Sequence, residues 1–175
     1  MTDISAGTER VFGFLRMSCR RPAAKLWPMK TILVATDGSE NGRHALDEAL
    51  ELAQAGGAAV TVLYVRHTPL PVLGDPFYQR ALSAELRRAN ETVAIAAGVA
   101  HSMGVEVETE VLEGDPAGRI LELARLRDVD LIVVGSRGLG RIAGALLGRV
   151  SQDVVQRSDR PVLVAARRPA RRRAA

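Results

Sequence analysis

The sequence contains one cysteine, two lysines and six aromatic residues among 175. Cys19 alone can form neither an intrachain disulfide nor a multi-cysteine zinc site. Such sparing cysteine use fits a reducing, cytoplasmic setting. Phe12, Phe14 and Trp27 fall in the first 28 residues, which leaves only Tyr64, Phe77 and Tyr78 for stacking on bases. That is too few for a single-strand nucleic-acid platform. Long apolar runs are absent too: Leu131 to Val134 falls far short of the roughly 20 residues needed to span a bilayer. Val11 to Leu15 is shorter than the core of a secretory signal, about 7 residues or more. Arg20-Arg21 resembles a twin-arginine signal only superficially, because Lys25 and Lys30 interrupt what should be an apolar stretch. His44, His67 and His101 lie far apart, without a neighbouring cysteine or paired carboxylate at ligand spacing, which argues against metal or triad chemistry.

What remains is the composition of one globular domain, 47% hydrophobic and 25% charged. Its formal charge of +4 invites a nucleic-acid reading until the charges are located. Residues 1–28 carry five basic and two acidic side chains, and residues 166–175 carry five arginines and no acid. Between them stand 14 basic against 18 acidic residues. The expected organisation is therefore a poorly ordered basic leader over 1–28, an acidic folded domain over 29–165 and an Arg-rich tail over 166–175. Met29 could itself be the natural start of the domain. No specific nucleic-acid or membrane partner is expected.

From Met29 the pattern becomes regular. Lys30 to Thr36 is a β-branched, nearly continuous apolar run ended by Asp37-Gly38-Ser39, which reads as a buried parallel strand and a turn. Ser39 can cap a helix whose apolar positions Ala45, Leu46, Ala49, Leu50 and Ala53 run to Gly56-Gly57. Ala59 to Val65 is a second buried strand. After a proline-rich loop, Tyr78 to Met103 predicts a long helix with Leu82, Leu86, Ala89, Val93, Ala97 and Ala100 on one face. Val105 to Leu112 alternates valine and threonine with Glu106, Glu108 and Glu110, the pattern of an edge strand with one wet face. Asp115-Pro116 opens a third helix, with Ile120, Leu121, Leu123, Ala124 and Leu126 as its apolar stripe. Leu131 to Val134 predicts a central strand, Val150 to Ser158 a helix and Pro161 to Ala165 a last strand. Five strands alternating with four helices specify an α/β fold: an open five-stranded parallel sheet with helices on both faces, Rossmann-like, in a single domain. Ligands of such sheets bind at the carboxyl ends of the strands where the winding reverses.

Gly135-Ser136-Arg137-Gly138, followed after nine residues by Gly148, lies between the fourth strand and a helix. Glycines let a backbone approach an anion without a Cβ in the way, and a helix N-terminus adds partial positive charge, so a phosphate chain is the natural guest. A ligand-free connection is the alternative. Neither the P-loop pattern nor the dinucleotide fingerprint is present. Asp37, at the end of the first strand, could coordinate Mg2+ beside phosphates or accept from a ribose hydroxyl, or it could only cap the turn.

Ile32 to Ser39, Glu113-Gly114-Asp115-Pro116, Gly135-Ser136-Arg137-Gly138 and Pro161-Val162-Leu163-Val164 together resemble the universal stress protein domain, over Met29 to Ala165. The resemblance implies a Rossmann-like fold of the adenine nucleotide alpha hydrolase type and an ATP-binding, stress-response regulatory role, with Mg2+ as companion. It also implies a homodimer through the last strand. Gly135, Gly138 and Gly148 match the family's glycine spacing. By resemblance, Ala35, Thr36 and Asp37 line the ribose and adenine side, Val65 touches the base, and Gly138, Gly148 and Val150 hold the phosphates. Gly38, Ser39, Val134, Gly135, Ser136, Arg137, Gly140, Arg149 and Ser151 complete the expected contacts. Arg149 departs from the family's Ser or Thr. It could pair with a phosphate, or it could crowd the pocket or point to solvent. Alternatives to a nucleotide switch are a weak ATPase and a non-nucleotide dimeric interaction module of the same fold.

Overall fold

The computed structural model describes residues 29–67, 77–136 and 147–166; the leader, most of the tail, and Arg137, Gly138 and Gly140 lie outside the described residues. Along β1 (Thr31–Ala35), β2 (Ala59–Arg66) and β4 (Leu131–Gly135), successive side chains point to opposite faces, as the two-residue period of a strand requires. Ile32, Val34, Val60, Val62, Tyr64, Leu131 and Val133 therefore share one core with α1 (Glu40–Gly56) and α2 (Phe77–Ser102). Leu33, Leu63, Ile132 and Val134 share the other with α3 (Pro116–Leu126) and α4 (Arg149–Arg157). Each fully buried aliphatic side chain contributes roughly 1.5–3 kcal/mol. A continuous apolar run such as Leu131 to Val134 is thus what a strand covered on both faces needs.

With β3 (Val107–Glu113) and β5 (Val162–Ala165) the sheet has the order β3-β2-β1-β4-β5, and all four pairings are parallel. β3 takes an edge position, as its alternating glutamates predict. The chain winds outward from β1 through β2 to β3, then crosses back to place β4 on the other side of β1. The helix ends follow local chemistry: Ser39 accepts from the Gly42 N–H at 3.1 Å and Asp115 from the Gly118 N–H at 2.8 Å. Gly57 closes α1 in the left-handed region at φ 71°, which costs a glycine little.

Two expectations of the sequence are corrected. In α2 the buried residues are Ala89, Val93, Ala96 and Ala100, whereas Leu86 is 38% exposed and Ala97 only half-buried. A helix of 26 residues is about 39 Å long, and the eight-residue β2 only about 26 Å. The difference, about 13 Å or roughly nine residues of helix, means that the first turns of α2 run past the carboxyl ends of the strands. In α3, Leu126 is 77% exposed rather than part of the stripe. It stands two positions, about 200°, beyond Ala124.

Candidate functional site

The crevice where the winding reverses holds a cavity of about 420 Å3. Its first wall is the end of β1: Ala35, Thr36 and Asp37 all line it. The Thr36 N–H donates to the Leu63 carbonyl at 3.0 Å, and its Oγ1 accepts from the Gly38 N–H at 3.2 Å. Asp37 Oδ1 accepts from the Ser39 N–H at 2.9 Å, so the carboxylate shapes the turn as well as facing the cavity. Gly38, at φ 76°, and Ser39 build this turn without lining the cavity. At Gly42 a Cβ would stand 2.6 Å from Thr36 Oγ1, so only glycine lets α1 start this close to the strand end.

The second wall is the end of β4. A Cβ on Gly135 would meet the Asn41 carbonyl oxygen at 2.7 Å, so a bare backbone is required here too. Gly135 accepts from the Ser151 hydroxyl at 2.6 Å, and the Ser136 carbonyl accepts from the Gly148 N–H, also at 2.6 Å. The second bond ties the end of β4 to the start of α4. Ser136 itself donates its N–H to the Ala165 carbonyl of β5 at 2.7 Å, is 8% exposed, and does not line the cavity. Gly148 is the N-cap of α4 and supplies no side-chain cap. The first intrahelical bond runs from the Gln152 N–H to the Gly148 carbonyl, which leaves the N–H groups of Arg149, Val150 and Ser151 without helical partners. Those three residues, with Gly148 and Val134, line the cavity. Arg149 is exposed and has no ion pair among the described residues.

The third wall, at β2, holds Val65 and also residues that sequence reasoning missed. Tyr64 lines the cavity at 4% exposure, together with Glu85 and Arg88 from the first half of α2, and Pro116 and Ile120 from α3. Burial holds the Tyr64 hydroxyl above the usual tyrosine range; Arg88 opposes this, and Glu85 and Asp37 reinforce it. The phenol stays a protonated donor at neutral pH. Tyr64 reads as core within an apolar run, and nothing local marks Glu85 and Arg88. The available signal was the length of the predicted helix against that of the strand it covers. Among the described residues no group of three or more His, Cys, Asp or Glu could hold a metal, and no helix is long and apolar enough to cross a membrane.

A family model described as the universal stress protein family matches residues 28–166. The chain is 42% identical over 137 residues to the universal stress protein in QAH/OAS sulfhydrylase 3'region of Thermus aquaticus, covering 77% of this chain and 97% of that relative. Among solved structures it is similar to universal stress protein UspA from Lactobacillus plantarum, with TM-score 0.72, 28% identity and coverage of 78% of this chain and 97% of that one. It is also similar to a universal stress protein solved in complex with cAMP, with TM-score 0.64, 29% identity and coverage of 79% and 98%.

Proposed function

The chain belongs to the universal stress protein family, and from that premise we propose that it is a cytoplasmic stress-response regulator that binds ATP at the carboxyl ends of β1 and β4. One observation carries this reading: the uncapped N-terminus of α4, begun by Gly148 and followed by Arg149, opens into the cavity at the winding reversal. Three N–H groups without helical partners and about half a positive charge favour an anion there. Arg149 adds a charge-assisted contact, stronger than the hydroxyl it replaces. The hydroxyl of Ser151 is occupied with Gly135, so that residue's contribution to a phosphate is its backbone N–H. Arg137, Gly138 and Gly140 belong to the same proposed ligand set.

Asp37 takes the ribose side and Val65 the base. The relative solved with cAMP supports an adenine nucleotide as the ligand class. Mg2+ is commonly held by one or two carboxylates together with substrate phosphates, and Asp37 fits as that single carboxylate. The metal would neutralise phosphate charge there. The bond between Gly148 and Ser136 joins the start of α4 to the end of β4 beside the proposed phosphate site, and Ser136 is bonded directly to β5. β5 has a strand on one side only and half-buried Val162, Leu163 and Val164, a surface on which a second copy could pair across a two-fold axis.

To test this, freshly purified protein is denatured and the released small molecules are identified by mass spectrometry. The stripped protein is then titrated with ATP, with and without Mg2+. An adenine nucleotide in the first step and saturable binding in the second are expected. No binding down to about millimolar concentration, roughly −4 kcal/mol, would sink the reading.

A further inference from the structure

Tyr64, Glu85 and Arg88 are polar groups of the cavity to which phosphate binding gives no role. Tyr64 is 4% exposed and lines the cavity, yet its hydroxyl has no hydrogen-bond partner among the described residues. That hydroxyl is not sealed off: it remains accessible from the cavity, where a water or a ligand can meet it. Glu85 and Arg88, three residues apart and so neighbours on one face of α2, line the same cavity without forming an ion pair with each other. Both precede Ala89, the first buried residue of the helix. With His67, which lines the cavity just beyond β2, this wall holds one carboxylate acceptor, one cation and two groups that both donate and accept, suited to a neutral ligand edge carrying a donor beside an acceptor.

The strand order indicates which edge. Neighbouring strands lie about 4.8 Å apart, so the end of β2 stands roughly 10 Å from the end of β4, with β1 between them. A nucleotide with its phosphates at α4 thus has its ribose over Asp37 and its base over β2. Adenine offers an amino donor beside a ring-nitrogen acceptor. A 6-oxo purine reverses the pair, placing a carbonyl where the amino group was.

Resting on the nucleotide reading above, the geometry points to Tyr64, Glu85 and Arg88 as the base-selecting wall of this cavity. Glu85 accepts from the 6-amino group, the Tyr64 hydroxyl donates to the adjoining ring nitrogen, and Arg88 supplies the counter-charge beside them. A carboxylate at this place repels the carbonyl of a 6-oxo purine, so the wall discriminates by repulsion as well as attraction.

The test titrates the nucleotide-stripped full chain, as wild type, Glu85→Gln and Tyr64→Phe, with ATP, ITP and inorganic tripolyphosphate. Wild type should prefer ATP over ITP by about tenfold or more, because the wrong base sets a carbonyl oxygen against the Glu85 carboxylate. Glu85→Gln should cut that preference to about threefold or less, since an amide donates to a carbonyl as readily as it accepts from an amine. Tyr64→Phe should weaken ATP by about threefold to tenfold. Tripolyphosphate affinity should stay unchanged in both variants. A full ATP preference in both variants overturns the base-selecting wall and leaves the nucleotide reading standing. Failure of wild type to bind ATP or tripolyphosphate overturns both.

Discussion

At the amino-terminal end of the sheet, Asp130 Oδ2 accepts from the Lys30 N–H at 2.7 Å and the Thr31 N–H at 3.0 Å, and Asp130 returns its own N–H to the Thr31 carbonyl. Arg160 beside it pairs with Asp128 at 2.7 Å. At the carboxyl-terminal end, the α4 N-terminus has no side-chain cap, the Tyr64 hydroxyl has no partner among the described residues, and Arg88 and Arg149 make no ion pair among them. One end uses its polar groups to hold β1 against β4. The other leaves donors facing a cavity. Polar groups that face a cavity rather than pair within the fold are available to something outside the chain.

If that contrast is right, substitutions at the two ends should have separable effects. The largest is expected for Asp130→Ala. It strands two strand-end N–H groups and should lower unfolding stability by about 1–3 kcal/mol in urea melts, while leaving ATP affinity of the folded protein unchanged. The same clamp has a pH signature. The Lys30 N–H, first among the groups bonded to Asp130, holds its carboxyl below the ordinary value of 3.8. A carboxyl depressed in the folded state stabilises above its unfolded pKa, and that contribution is lost as pH falls through the folded one. Acid unfolding curves of Asp130→Asn should lack this limb. A clamp variant that lost ATP binding at full stability would break the comparison.

At the other end, Arg149→Glu should weaken ATP by about tenfold or more, a loss of roughly 1.4 kcal/mol, with stability changed by less than about 0.5 kcal/mol. Paired calorimetric titrations and melts check both halves of that statement. Arg149→Ser sharpens it: weaker ATP binding means that the arginine pairs with a phosphate, whereas stronger binding means that it crowds the pocket. The smallest effect is expected at Ser151, whose hydroxyl locks α4 to Gly135. Ser151→Ala should reduce stability by about 1 kcal/mol and leave ATP affinity within about twofold. A large loss of affinity at constant stability would return Ser151's hydroxyl to the ligand.

The sheet was legible in the sequence because its signals are local. Continuous β-branched runs marked β1, β2 and β4, the Glu106, Glu108 and Glu110 alternation marked the β3 edge, and Ser39, Gly57 and Asp115 marked helix ends through bonds spanning a few residues. Asp37 was legible as a cavity residue because the reversal of winding designates the end of β1, and Gly148 because a glycine there precedes a helix start; Ala35, Thr36, Val65 and Arg149 came from the family resemblance. The rest depends on distance relations that no short window contains. The need for glycine at 135 comes from Asn41, close in space and far in sequence. The Ser151 hydroxyl is occupied by a carbonyl sixteen residues earlier. Glu85 and Arg88 reach the cavity only because α2 outruns the strand beneath it.

The contrast between the two ends is tested most directly by amide hydrogen exchange on the stripped full chain, with and without ATP and Mg2+. Added protection is predicted at Arg149, Val150 and Ser151 and in the Thr36 to Gly38 turn, with none at Lys30, Thr31 and Asp130. Protection appearing at the Asp130 end, or nowhere in the α4 N-terminal turn at saturating ATP, would contradict it.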